Sequence, residues 1–290
     1  MEITMTNPLV TANSLQAKKR RSEKIVIITA YDATFAALFD NTEVDALLVG
    51  DSLGMVIQGH PNTLPVNLEH VIYHTAAVSR VTKRAHLIAD MPFMSYQVSV
   101  EQAVESAGRL VQEGGAHAVK IEGGREFATH IRRIYNCGIP VMGHLGLTPQ
   151  SVHRFGGFKV QGKDATAAQR LREDAHILVE AGCYSIVLEG IPAELAAEIT
   201  AEINIPTIGI GAGVGCDGQV LVCYDMLGLN PNFRPKFVKT YAELHKQITQ
   251  AVQSFVSEVR AESFPTDAHS FHGDLSVTND SNDAPYNRVH

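Results

Sequence analysis

Short apolar runs recur along the chain, and each stops at a glycine or a polar side chain. Residues 25–30 stop at Tyr31-Asp32, 46–49 at Gly50-Asp51-Ser52, and 86–89 at Asp90. Residues 118–121 stop at Glu122, 140–143 at His144, and 185–188 at Glu189. The runs 206–210 and 219–224 bring the series to eight. Unbroken apolar runs of this length predict strands covered on both faces, as in a parallel sheet.

Apolar residues at helical spacing fill most of the intervals, over residues 33–39, 68–81, 100–114, 126–135, 166–181 and 193–203. Gly114-Gly115, Gly138 and Gly182 follow such stretches, where a left-handed cap calls for glycine. Strand and helix in alternation imply parallel pairing with right-handed crossovers, and eight strands are the number a closed barrel requires. The interval 213–218 is too short for a full helix between strands seven and eight. A long amphipathic helix is predicted over 241–261, and Ser14 is the predicted cap of a short helix running into Lys18-Lys19-Arg20-Arg21. Residues 1–14 read as a flexible leader, 15–272 as one domain, and 273–290, rich in Asp, Asn and Ser, as a disordered tail.

Composition narrows the partners. The chain has 290 residues, 45% of them hydrophobic, and a net charge of −7, which argues against a nucleic-acid face. No apolar run reaches the roughly 18 residues of a membrane span. The four cysteines form no CxxC pair and no zinc spacing, which predicts reduced thiols and a cytoplasmic protein.

In a parallel barrel the C-terminal strand ends open onto one mouth, so the terminal residues should converge there. Asp51, Asp90, Glu122 and Glu189 then meet Lys120 and His144. A single acid at a strand end is readily explained as a helix cap. Several crowded at one mouth repel, and require something positive among them. Asp51, Asp90 and Glu122 offer hard oxygen ligands with no cysteine nearby, which suits magnesium. Lys120 lies two residues from Glu122 on one strand and faces the same way. It is equally readable as a contact for an anionic substrate or as the charge partner of Glu122. Glu189, with apolar flanks Leu188 and Ile191, is a candidate general base, and His144 a possible substrate contact. Two weaker patterns are the phosphate-cradle reading of Gly209-Ile210-Gly211-Ala212-Gly213, which reads better as a tight turn, and a metal pair at His269 and His272.

Several blocks in order then carry a resemblance. They include Ile28-Thr29-Ala30-Tyr31-Asp32, Val49-Gly50-Asp51-Ser52-Leu53-Gly54-Met55, Asp90-Met91-Pro92-Phe93-Met94, Val119-Lys120-Ile121-Glu122-Gly123-Gly124 and Gly143-His144-Leu145-Gly146-Leu147-Thr148-Pro149-Gln150-Ser151. Together they closely resemble the ketopantoate hydroxymethyltransferase family. That resemblance implies a TIM-type (β/α)8 barrel of the phosphoenolpyruvate mutase/isocitrate lyase superfamily. It further implies one Mg2+ per subunit on Asp51, Asp90 and Glu122, with Asp51, Ser52, Asp90 and Lys120 touching the ketoacid and Glu189 accepting the proton. The implied co-substrate is 5,10-methylenetetrahydrofolate, and the implied assembly is a homodecamer. Two alternatives are a C–C lyase of the isocitrate-lyase type and a catalytically silent barrel subunit. The first lacks its Lys-Cys-Gly-His loop here, and the second has no use for mutually repelling carboxylates.

Overall fold

The computed structural model describes residues 8–231 and 235–273. These fall into two compact units, one ending at Ala242 and one beginning at Glu243. The first unit is a closed barrel of eight parallel strands in sequence order. The strands are β1 (Ile25–Thr29), β2 (Ala46–Val49), β3 (His86–Asp90), β4 (Ala118–Glu122), β5 (Val141–Gly146), β6 (Cys183–Glu189), β7 (Thr207–Ile210) and β8 (Gly218–Leu221). Helices α1 (Ala12–Arg20), α2 (Ala33–Asp40), α3 (Leu53–Val56), α4 (Leu68–Ser79), α5 (Val100–Gln112), α6 (Ala128–Asn136), α7 (Val152–Phe155), α8 (Ala165–Ala181), α9 (Ala193–Glu202) and α10 (Cys223–Met226) accompany them. The second unit is built on α11 (Leu244–Arg260). Among the described residues no helix is long and apolar enough to cross a membrane.

Most strands are apolar on both sides because they serve two cores; β8, with Gln219 exposed, is the exception. Leu47, Val49, Leu87, Ala89, Val119, Ile121, Ile186 and Leu188 pack outward among the helices. Ile27, Leu48, Ile88, Ala118, Met142, Val187 and Ile208 fill the barrel interior. The period of two places Asp90, Lys120, Glu122, His144 and Glu189 on the inward side, above that interior packing. α1 closes the opposite end, with Leu15 fully buried among the interior residues. Lys18 pairs with Asp45 at 2.6 Å and Lys19 with Asp217 at 2.7 Å, so the basic run secures this plug.

The differences from expectation are local. Thr11, not Ser14, caps α1; Ser14 is the third helical residue and completes the reciprocal box by accepting from the Thr11 backbone at 2.6 Å. The helix therefore begins inside the stretch assigned to a flexible leader. Strand eight ends at Leu221, because Val222 opens α10 where the sequence pattern continued to Tyr224. The one-turn helices α3 and α7 escaped prediction, being shorter than any usable helical period. As expected, no helix separates β7 from β8. Residues 1–7 of the leader and 274–290 of the tail lie outside the described residues.

Candidate active site

Strand register assembles the mouth. Asp90 is paired with Lys120 across β3 and β4, Glu122 with His144 across β4 and β5, and Gly146 with Glu189 across β5 and β6. Gly146 has φ +95°, and a Cβ there would sit 2.2 Å from the Glu189 carbonyl oxygen. Only glycine allows the two strand ends to approach this closely.

The six converging residues of the sequence reading do meet. Asp51, Asp90, Lys120, Glu122 and His144 are all buried, and the Glu189 side chain is 15% exposed. Lys120 Nζ lies 2.7 Å from Asp90 Oδ1, 3.6 Å from Glu122 Oε1 and 3.2 Å from His144 Nδ1. His144 Nδ1 is 3.4 Å from Glu122 Oε1, and its Nε2 is 3.2 Å from Glu189 Oε2. His144 thus links the acid cluster to the candidate base. The Asp51 backbone N–H donates to Asp90 Oδ2 at 3.2 Å. Ser52, half-buried, is 2.7 Å from the Tyr31 hydroxyl.

Burial dominates the electrostatics. It raises the Asp51 carboxyl well above the ordinary range, and Asp90 and Glu122 push it further. Burial also raises Asp90, against the pull of Lys120. For Glu122 burial again opposes ionisation, but Lys120 and His144 outweigh it and hold the carboxyl below its usual value. Burial and Lys120 disfavour a charged His144, yet Glu122 and Glu189 lift it to about 9. Lys120 keeps its proton despite burial, because Asp90, Glu122 and Asp51 surround it. The site is a network in which Lys120 lies among Asp90, Glu122 and His144, and His144 joins Glu122 to Glu189.

Two residues without an assigned role complete it. Gln150, 7% exposed, donates from its backbone N to Glu122 Oε2 at 3.0 Å and from Nε2 to Asp51 Oδ2 at 3.0 Å. Tyr96, also buried, donates to Gln150 Oε1 at 2.8 Å. Sequence gave no spacing signal for either, since their partners lie far away in the chain. The two weaker patterns separate from the site. Gly211 and Gly213 have positive φ where the chain bends after β7, ahead of a turn at 214–215. His269 faces Thr266 Oγ1 at 2.8 Å and His272 faces Asp267 Oδ1 at 2.7 Å, so the two histidines do not share a ligand point.

The donor chemistry fits a hard divalent cation: three carboxylates, no thiolate, and a buried Glu122 Oε1 that accepts no hydrogen bond. Among the described residues, no three His, Cys, Asp or Glu side chains are already drawn close enough to hold an ion. The cationic position is taken by Lys120, and a metal would have to compete with or displace its contacts.

The family model for ketopantoate hydroxymethyltransferase matches residues 9–267. A 3-methyl-2-oxobutanoate hydroxymethyltransferase of Anaeromyxobacter sp. (strain Fw109-5) is 60% identical over 267 residues, covering 91% of this chain and 88% of that protein. One from Syntrophus aciditrophicus (strain SB) is 57% identical, covering 90% of this chain and 96% of its own length. Among solved structures, 2,3-dimethylmalate lyase, a PEP mutase/isocitrate lyase superfamily member, aligns with TM-score 0.58 at 16% identity over 87% of this chain and 89% of that one. A phosphonopyruvate hydrolase complex with oxalate and Mg++ aligns with TM-score 0.59 at 11% identity over 90% of this chain and 92% of that one. At such identities these two structures speak for the shared barrel alone.

Proposed function

The chain belongs to the ketopantoate hydroxymethyltransferase family, and on that premise we propose that this hydroxymethyltransferase moves a one-carbon unit from 5,10-methylenetetrahydrofolate to 3-methyl-2-oxobutanoate. The product is 2-dehydropantoate, for pantothenate biosynthesis. The observation that carries the reading is Glu189 facing the acid–lysine cluster through His144, at 3.2 Å.

In this reading Asp51, Asp90 and Glu122 hold Mg2+, which when bound stabilises negative charge developing on the ketoacid oxygen. Lys120 and Ser52 receive the ketoacid carboxylate, the first by charge and the second by its hydroxyl. Tyr31 fixes the Ser52 hydroxyl at 2.7 Å, so this contact is oriented before substrate arrives. Glu189 takes the proton from C3, and His144, whose Nε2 lies 3.2 Å from Glu189 Oε2, holds that carboxylate in place. Both C–N bonds of the bridging one-carbon unit break, water giving its oxygen to that carbon and its two protons to the nitrogens as tetrahydrofolate leaves. The carbanion carbon then attacks this formaldehyde-level carbon, whose oxygen takes back the proton held by Glu189. General-base help of this kind is worth about 10²–10⁴-fold.

A homodecamer and a cytoplasmic location belong to the same reading. Ile248, Val252, Phe255 and Val259 form an apolar stripe on α11, each about half exposed, which supports burial against other copies. The free state of all four cysteines agrees with a reducing compartment. Light scattering settles the assembly.

The deciding assay incubates 3-methyl-2-oxobutanoate with Mg2+ and methylenetetrahydrofolate, before and after EDTA. Product that appears only without the chelator is the expected result. Activity indifferent to EDTA removes the metal from the scheme, and no product under either condition removes the substrate assignment.

A further inference from the structure

Each of the three acids has one oxygen tied by a neutral donor and one left for a cation. Asp90 Oδ2 accepts the Asp51 N–H, leaving Oδ1 to Lys120. Glu122 Oε2 accepts the Gln150 backbone N–H, leaving the buried Oε1 without a hydrogen bond. Asp51 Oδ2 accepts the Gln150 side-chain amide, and no hydrogen bond is made to Asp51 Oδ1 among the described residues. Two of the three ties therefore come from one uncharged residue.

Gln150 cannot turn. Its Nε2 also donates to the Met91 carbonyl at 2.9 Å, a partner that can only accept. Its Oε1 accepts from Tyr96 OH at 2.8 Å and from Gln97 Nε2 at 3.2 Å. The side-chain amide is thus held at both ends while it fixes Asp51, just beyond β2, and the backbone N–H of the same residue fixes Glu122, ending β4. An amide present only to fill space has no reason to meet Asp51 on one oxygen and leave the other available, matching what the backbone N–H of the same residue does for Glu122.

We infer that Gln150 is a positioning residue for a divalent cation: it locks one oxygen each of Asp51 and Glu122 and so presents the remaining oxygens to the ion. This rests on the cation site proposed above. Residues that orient metal-binding carboxylates typically contribute 10- to 100-fold to metal affinity.

The test is binding, not turnover. Wild type, Gln150→Met and Tyr96→Phe are titrated with Mg2+ by calorimetry and with Mn2+ by electron paramagnetic resonance, with circular dichroism recording the folded fraction. Gln150→Met is expected to bind 10- to 100-fold more weakly at an unchanged folded fraction. Tyr96→Phe, which removes one tie on the amide oxygen together with the hydroxyl's contact to the Glu122 carbonyl at 3.0 Å, is expected to bind several-fold more weakly. A folded Gln150→Met with wild-type affinity overturns the inference. Where Gln150→Met does not fold, wild-type affinity in Tyr96→Phe overturns it instead. Failure of the wild type to bind either ion overturns the cation site itself, so the two failures are told apart.

Discussion

Lys120→Met tests whether charge holds the mouth together. Methionine keeps most of the apolar stem and removes only the ammonium. At an effective dielectric near 20, the gross attraction of Lys120 to Asp90 at 2.7 Å is about 6 kcal/mol, and to Glu122 at 3.6 Å about 5 kcal/mol. Much of that offsets the cost of burying the ammonium, so the net loss on removing one partner of a buried pair is about 3–5 kcal/mol. The sign with pH follows from the acids left behind. Burial and mutual repulsion already raise Asp51 and Asp90, and losing Lys120 raises the cluster further. The folded variant then binds protons that the unfolded chain releases above about pH 4, so its stability rises as pH falls toward that value. Urea unfolding of both proteins at pH 8 and pH 5.5, with and without Mg2+, should show the gap narrowing at the lower pH. A fixed Mg2+ concentration about 100 times the variant's Kd should narrow it as well, since it adds about 2.7 kcal/mol to the variant and less to the wild type, where the ion competes with Lys120 and binds more weakly. A loss that is the same at both pH values and with the metal would mean that packing, not charge, is what Lys120 supplies.

Glu189→Gln should retain ketoacid binding while C3 proton exchange, followed by deuterium incorporation, slows by about 10²–10⁴-fold; unchanged exchange would remove Glu189 as base. His86 is buried in the barrel interior and pushed down to about 3 by burial and then by His117, so it stays neutral in the fold. Acidification from its ordinary value of 6.5 therefore protonates only the unfolded chain and lowers stability by about 1.4 kcal/mol per pH unit until pH nears 3. His86→Phe should flatten that acid limb in urea titrations, and parallel curves would show that other groups set it. Gly146→Ala combines a φ of +95° with a 2.2 Å clash against the Glu189 carbonyl. It should cost about 1–3 kcal/mol in strain and lower kcat about 10²-fold by displacing Glu189; wild-type kcat would show that the strand ends have slack.

Strands and barrel were legible because burial on two faces writes a signal no loop imitates. Ile88 and Leu87 are adjacent in sequence and both fully buried, one in the interior core and one in the outer core. What stayed illegible was short or capped from outside its own period. α3 and α7 have four residues each, little more than one turn, and no periodicity can be read from one turn. The α1 cap was misplaced because Thr11 and Ser14 bond each other's backbone, and residue type alone does not say which of the two stands outside the helix. Strand eight was overextended because Val222-Cys223-Tyr224 has β-favouring side chains; the chain turns there where the Cys223 N–H donates to Thr29 Oγ1 on β1, a contact 194 residues away in sequence.

The same contrast divides the site. Asp90, Lys120, Glu122, His144 and Glu189 could be named in advance because each sits at a strand end, and a parallel barrel sends all strand ends to one mouth. Their need for a positive partner was visible as well, and Lys120 stands 2.7 Å from Asp90. Gln150, Tyr96 and Tyr31 could not be found this way. Gln150 reaches Asp51 across 99 residues, Tyr96 reaches Gln150 across 54, and Tyr31 meets Ser52 across 21. Gln150 and Tyr96 stand in connecting segments rather than strands, and all three are uncharged, so neither periodicity nor charge marks them. Yet they decide which oxygen of Asp51 and of Glu122 faces a donor and what the Ser52 hydroxyl bonds. Strand register places the charges at the mouth, and the connecting segments orient them; a sequence displays the first through its period and leaves the second to three-dimensional contact.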